Sequence, residues 1–473
     1  MNNFYSLLPA LFLGVGGMAL LLLGVLAKKT DTTAGITSGA IVLLIMATAV
    51  NWVVPDALLF SGLLKTSLFT RYTDTLVYLG AIVALILSLD YNKREQIARF
   101  EYPILVLFAV LGMIVMISAA DMMSLYIGFE LQSLALYICA ALARDSVRST
   151  EAGLKYFVLG ALASGLLLYG ISLVYGFAGT TNFAALANVF QQGAGAGTIA
   201  GAVFVLVGLA FKISAAPFHM WAPDVYEGAP TSVTALFATA PKAAAMALLL
   251  SVMAGPFGHL TGQWEMLIQI LAVLSMIIGA LAAIGQSNIK RLLAYSSIGH
   301  MGYALMGLAT GSVAGIQASL IYIAIYVVMS FGAFACVIAM RRNGQAVERI
   351  SDLAGLAAEH PGFAFAFAVF MWSMAGIPPL AGFFSKLYVF YTAFNAGYDT
   401  LTIIAIITSV ISAFYYLRVI KVMYFDKGTP GFDRASAGVS LVMALGAFAV
   451  IFFVAIPGPL MAMAGAAAKA LMG

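Results

Sequence analysis

Five ionisable side chains, Glu130, Lys155, Lys212, Lys242 and Lys386, fall inside long apolar runs of this sequence. A charged group at the centre of a membrane helix costs about 2.5–3.5 kcal/mol on insertion scales, so together they oppose insertion by roughly ten or more. Groups retained at that cost face a hydrated cavity or one another, and ion pathways and proton relays are their commonest use. Lysine suits a relay because its hold on a proton is adjustable: burial disfavours the ammonium and a nearby carboxylate restores it. Arginine does not deprotonate in proteins. No arginine lies mid-run, which points to proton transfer and away from fixed-charge voltage sensing.

Position grades these candidates. Lys212 immediately precedes Ile213-Ser214-Ala215-Ala216-Pro217 in the seventh run, so its ammonium can approach backbone carbonyls that the proline frees. Lys242 follows Pro241 near the middle of the eighth run. Glu130, in the fifth, reads as the only deep carboxylate available to hold a lysine charged, with Lys212 or Lys155 as its partner. Lys386 lies eight residues beyond Pro378 in the twelfth run, on the opposite side of its proline from Lys212. Lys155 opens the sixth run, where a relay role and a stem snorkelling to the interface both fit. His300, in Tyr295-Ser296-Ser297-Ile298-Gly299-His300, could pass protons among hydroxyls or be a satisfied core histidine. His219, two residues after Pro217, could line an entrance or cap a tight loop.

These residues need a membrane to position them. Of 473 residues, 63% are apolar and only 9% charged, far outside the soluble range. The apolar runs are near twenty residues, the length of a spanning helix, and not the short alternating segments of a barrel. The expected fold is an all-α polytopic membrane protein with about fourteen transmembrane helices. The first run, Phe4 to Ala27, lacks a basic start and a small-residue cleavage site, and reads as a retained helix. Cys139 and Cys336 both sit in apolar runs and read as small hydrophobes, which leaves no disulfide, zinc or iron–sulfur assignment.

Numbered in order, the odd connections hold nearly all the loop lysines and arginines, from Lys28 and Lys29 through Arg144, Arg148, Lys290 and Arg291 to Arg418 and Arg434. The even ones hold Lys65 and Arg71. That bias places the odd loops in the cytoplasm and both termini on the periplasmic side. The net charge of +4 is then topology, with no nucleic-acid partner implied. Cysteines introduced at Gly179 and Gly344 should therefore label from opposite sides of the membrane, Gly179→Cys from outside. Labelling of both from one side would overturn this topology.

Residues 1–473 read as a single membrane domain, with residues 178–197 as an outer loop. Span 7 is interrupted at Pro217 and span 12 at Pro378-Pro379, 161 residues apart. Proline removes a backbone donor and clashes one turn back, so both helices should break. Spans 4–8 (103–253) and 9–13 (265–424) thus read as two inverted five-helix repeats, an arrangement that places a transport route near the midplane.

No Gly-rich dinucleotide loop, phosphate loop, cysteine cluster or haem-spaced histidine pair is present, so the chain itself carries no redox chemistry. Three stretches are distinctive: Glu130-Leu131-Gln132-Ser133-Leu134-Ala135-Leu136-Tyr137, Glu151 to Phe157, and Pro217 to Pro230. They resemble the N subunit of bacterial complex I, the relative of mitochondrial subunit 2, and the likeness runs through nearly the whole chain. The resemblance implies fourteen helices with helices 7 and 12 broken, and proton translocation through Glu130, Lys212, Lys242 and Lys386. It further implies a multi-pass subunit of NADH:quinone oxidoreductase in the bacterial inner membrane, with other membrane subunits as partners. By that analogy this chain binds no cofactor, and FMN, iron–sulfur clusters and quinone belong to its neighbours. Subunits of multi-subunit cation/proton antiporters are similar too, and a non-pumping scaffold within the same complex is the other alternative.

Overall fold

The computed structural model describes residues 5–27, 32–428 and 431–472. The first residue assigned to span 1, Phe4, and the loop charges Lys28 and Lys29 lie outside them. The chain is almost entirely helical, in the order α1 (Leu8–Leu26), α2 (Thr33–Asn51), α3 (Leu68–Arg94), α4 (Glu101–Ile117), α5 (Met122–Ala140) and α6 (Val147–Ala178). A short α7 (Phe183–Gln191) follows, then α8 (Ala196–Lys212), α9 (Trp221–Gly228), α10 (Thr231–Phe237) and α11 (Ala240–Ala254). Next come α12 (Thr261–Ile284), α13 (Ile289–Ala309), α14 (Val313–Ala339), α15 (Leu356–Glu359), α16 (Pro361–Ala375), α17 (Ala381–Asn395), α18 (Asp399–Phe425), α19 (Ala437–Phe452) and α20 (Gly458–Met472). The described residues also form four short 3-10 turns and two small antiparallel hairpins: β1 (Ala57–Leu59) pairs with β2 (Leu64–Thr66), and β3 (Arg341–Arg342) with β4 (Gln345–Ala346).

Ten helical stretches among the described residues are long and apolar enough to cross a membrane. The other four expected spans correspond to α4, α8, α13 and α16, which fall short in length or apolar character. The region read as an outer loop contains α7, whose start is capped by the Asn182 side chain accepting from Ala184 and Ala185 N–H. The sequence reading also missed α20, which packs against α14 and α3.

Burial grades the helices from centre to rim. The α10–α11 stretch is 100% buried and α14 94%, whereas α1 is 22% buried. Lys242 therefore sits in the innermost span, and the first two helices turn most of their surface outward. Close backbone approach is built with glycine, as expected where apolar lipid gives no hydrophobic drive between helices. A Cβ on Gly128 of α5 would lie 2.6 Å from Met116 N of α4, and one on Gly279 of α12 would lie 2.6 Å from Gly299 N of α13. These contacts fix α5, which carries Glu130, and α13, which carries His300, against their neighbours.

Both proline interruptions are real breaks. The seventh span is split into α8 and α9 with residues 213–220 between them, and the twelfth into α16 and α17 with residues 376–380 between them. Each break contains a cis X–Pro bond, Ala216–Pro217 and Pro378–Pro379. The first is tied across the chain: Ala216 N–H donates to Ser275 Oγ of α12 at 2.8 Å, and Trp221 Nε1 donates back over the gap to Phe211 O at 3.1 Å.

Candidate functional site

A helix that stops inside the protein leaves its last carbonyls without partners, and buried polar groups demand them. Lysines answer that demand at both breaks. Lys242 of α11 is 1% exposed, and its Nζ donates to Ile213 O at 2.8 Å and to Ser214 Oγ. Lys386 of α17 donates to Ala375 O at 3.0 Å and to Ser409 Oγ of α18 at 2.9 Å. Gly376 makes that second arrangement possible. Its φ of 86° is left-handed, and a Cβ there would meet Lys386 Cδ at 2.9 Å. The side chain reaching the carbonyls of the first break is therefore Lys242, not Lys212 as its sequence position suggested.

Lys212 turns the other way. It ends α8, is 4% exposed, and donates to Ser133 Oγ of α5 at 2.6 Å, with its Nζ 4.8 Å from the centre of the Phe129 ring. Ser133 lies one turn beyond Glu130. The Glu130 carboxylate is half-buried and accepts from Ser164 of α6, whose oxygen is also 3.3 Å from Tyr126 OH. Among the described residues no ion pair joins Glu130 to Lys212 or Lys155. The structure brings the Lys212 ammonium to the turn of α5 next to the one that carries Glu130, with serine hydroxyls as the direct partners of both.

His300 is 2% exposed and bonded at both ring nitrogens: Nδ1 with Tyr322 OH at 2.6 Å and Nε2 with Tyr416 OH at 3.1 Å. Tyr416 OH in turn bonds Ser296 Oγ. Nearby, the Lys386 Nζ stands 5.0 Å from the Tyr303 ring centre, and the Tyr303 and His300 ring centroids are 6.3 Å apart. An imidazole with a hydroxyl on each side can accept a proton at one nitrogen and release one from the other. Neither tyrosine could be assigned from sequence, since they lie 22 and 116 residues from the histidine.

Lys155 is 41% exposed and pairs with Glu151 and with Asp224 of α9, both at 2.7 Å. His219 lies in the first break, half-buried, with no hydrogen-bond partner at Nδ1. Lys155 belongs to a larger charged cluster. Arg291 Nη1 bonds Asp224 at 2.7 Å and Glu227 at 3.1 Å, and Arg148 bonds Glu227 at 3.1 Å. Lys290, read from sequence as a loop charge, is 2% exposed near the start of α13 and bonds Glu348 at 3.0 Å. Glu348 lies in the loop after β4. Burial would push its carboxyl up, but Lys290 and the Asn288 amide, 3.0 Å away, hold it below the ordinary glutamate range.

The expectation of a single deep carboxylate is corrected. Asp74, six residues after the start of α3, is 6% exposed, and its Oδ1 has no partner. The helix begins at Leu68, earlier than the apolar run suggested, and this carries Asp74 inward.

The family model described as "NADH:quinone oxidoreductase/Mrp antiporter, TM" matches residues 119–412, the stretch holding Lys155, Lys212, Lys242, Lys290 and Lys386. The chain is 62% identical over 474 residues to NADH-quinone oxidoreductase subunit N 1 of Acidiphilium cryptum, covering 100% of this chain and 99% of that relative. It is 55% identical to NADH-quinone oxidoreductase subunit N of Rhodospirillum rubrum, covering 98% and 96%. Among solved structures, a chain of respiratory complex I from Thermus thermophilus with bound aureothin is 33% identical with a TM-score of 0.84, covering 97% and 99%. A chain of the Mrp complex from Dietzia shares the fold at TM-score 0.88 and 21% identity, covering 99% of this chain and 100% of that one.

Proposed function

The chain belongs to the NADH-quinone oxidoreductase subunit N family, and from that we propose that its buried lysines and histidine carry protons across the membrane while neighbouring subunits oxidise NADH and reduce quinone. The observation that supports this reading is one recurring chemistry. Three lysines at most 4% exposed each donate to a hydroxyl, two of them also to the last carbonyls of a broken helix, and His300 stands between two tyrosine hydroxyls. The route runs from the cytoplasm by Lys212 and Lys242, with Glu130 tuning Lys212, then past His300 to Lys386 and the outside. Lys155 and His219 stand at the inner entrance, the face of the charged cluster being cytoplasmic and both termini periplasmic. The stretches 103–253 and 265–424 act as inverted halves, with His300 of the second passing protons between them. Moving one proton against about 150 mV costs roughly 3.5 kcal/mol, comparable to what a close buried charge can gain or lose.

FMN, iron–sulfur clusters and quinone are assigned to the partner subunits of the bacterial inner-membrane complex. Purification from mild-detergent membranes should yield this chain with flavin- and iron–sulfur-containing proteins. Recovery with cation-antiporter subunits alone, free of flavin, would replace the respiratory reading by the antiporter one.

A further inference from the structure

Lys290 is the second residue of α13, and a cation there is opposed by that helix's own dipole. It is nevertheless buried, and its ammonium has three hydrogens to donate. All three are used: on Glu227 O at 2.9 Å, Ala229 O at 2.7 Å and Glu348 Oε1 at 3.0 Å. Glu227 O and Ala229 O lie at the C-terminal end of α9, where carbonyls lack helical partners and a cation is favoured. Lys290 is thus unfavourably placed for its own helix and well placed for another.

The helix it holds is a lever. α9 has eight residues, about 12 Å at 1.5 Å per residue. At its far end Trp221 stands over Lys242, with the ammonium 5.7 Å from the ring centre, and stacks on Tyr156 at 4.5 Å. The helix that supplies Lys290 carries His300 ten residues further on. One ammonium therefore joins the element that positions Lys242's surroundings to the element that carries the histidine. With every donor engaged by a fixed acceptor, this lysine is a bond and not a proton carrier.

We infer that Lys290 is a positioning residue, clamping the end of α9 to α13 and Glu348 and so setting the separation between Lys242 and His300 across which the proton must pass. The inference rests on the lysine route proposed above. Its test is a pair of variants in the complete complex, reading amide hydrogen exchange over residues 225–231 together with protons moved per electron. Lys290→Met removes all three hydrogen bonds. It should accelerate exchange there at least about tenfold, as expected for losing one or more charged hydrogen bonds, and lower the proton-to-electron ratio by about half or more through misplacement. Lys290→Arg keeps charge and donors and should retain most of both.

Unchanged exchange in Lys290→Met, or faster exchange with an unchanged ratio, would overturn the inference. So would Lys290→Arg failing as badly as Lys290→Met, since that outcome marks a lysine that must release its proton. If Lys290→Met does not assemble, Glu348→Gln, which weakens one of the three bonds, should give a smaller shift of both readouts, and no shift in either would refute the clamp. The lysine route itself is judged separately, on Lys212→Arg, so failure of the clamp leaves it standing.

Discussion

Lys212→Arg in an assembled complex is expected to lose most NADH-driven proton movement although it preserves the positive charge. The guanidinium cannot give up its proton at accessible pH, whereas an amine in a buried site beside a carboxylate can be loaded and unloaded as its surroundings change. Lys212 ends α8 with its ammonium on Ser133 at 2.6 Å, one turn of α5 beyond Glu130. Lys212→Ala should lose proton movement to the same degree, and losing a positioned proton carrier typically costs 10²–10⁴-fold. Glu130→Gln should resemble it more weakly, because the carboxylate acts on the lysine through space and not through a direct ion pair. The measurement is protons per electron alongside the quinone reductase rate in membrane vesicles. An assembled Lys212→Arg complex that pumps at the unmodified stoichiometry would show that only the charge matters, which is the behaviour of a scaffold.

Lys386→Met should be comparably damaging, with a different signature. The substitution keeps most of the apolar bulk but removes both hydrogen bonds, leaving Ala375 O short of a partner in the interior and Ser409 Oγ without the ammonium. An orphaned buried acceptor costs about 1–3 kcal/mol, so the second break should loosen as well as lose its proton carrier. Ser409→Ala removes one acceptor and leaves the carbonyl contact, and should retain much of the pumping. The ordering Lys386→Met far below Ser409→Ala is therefore expected in proton movement, and equal losses in the two would indicate that the hydroxyl and not the amine carries the step.

The sequence was most informative where a single residue imposes a local rule. Pro217 and Pro378 cannot continue a helix, and both breaks are found where the prolines stand. Lysines inside apolar runs must be satisfied internally, and Lys212, Lys242 and Lys386 all are. What could not be read was which group satisfies which. Lys242 reaches a carbonyl 29 residues earlier, and His300 a tyrosine 116 residues later, through packing that no local pattern encodes. Lys290 sits beside Arg291 in a charged stretch, and only the fold shows that one is buried and the other partly open. Asp74 was misplaced because the helix starts at a polar Ser67-Leu68-Phe69-Thr70 segment, where Ser67 and Thr70 form a capping box that apolar counting does not detect.

The carbonyls of Ile213 and Ala375 give the protein two internal reporters. A carbonyl accepting from an ammonium carries a charge-assisted hydrogen bond, about twice as strong as one from a neutral amine. Each proton gained or lost at Lys242 or Lys386 should therefore shift the stretching frequency of one peptide group, at position 213 or 375 respectively. Carbon-13 placed at either carbonyl lowers its stretching frequency by mass alone and so separates its band from the bulk helix absorption. The order in which the two lysines exchange protons during turnover is thereby written into the backbone, where time-resolved infrared spectroscopy can read it without altering a side chain.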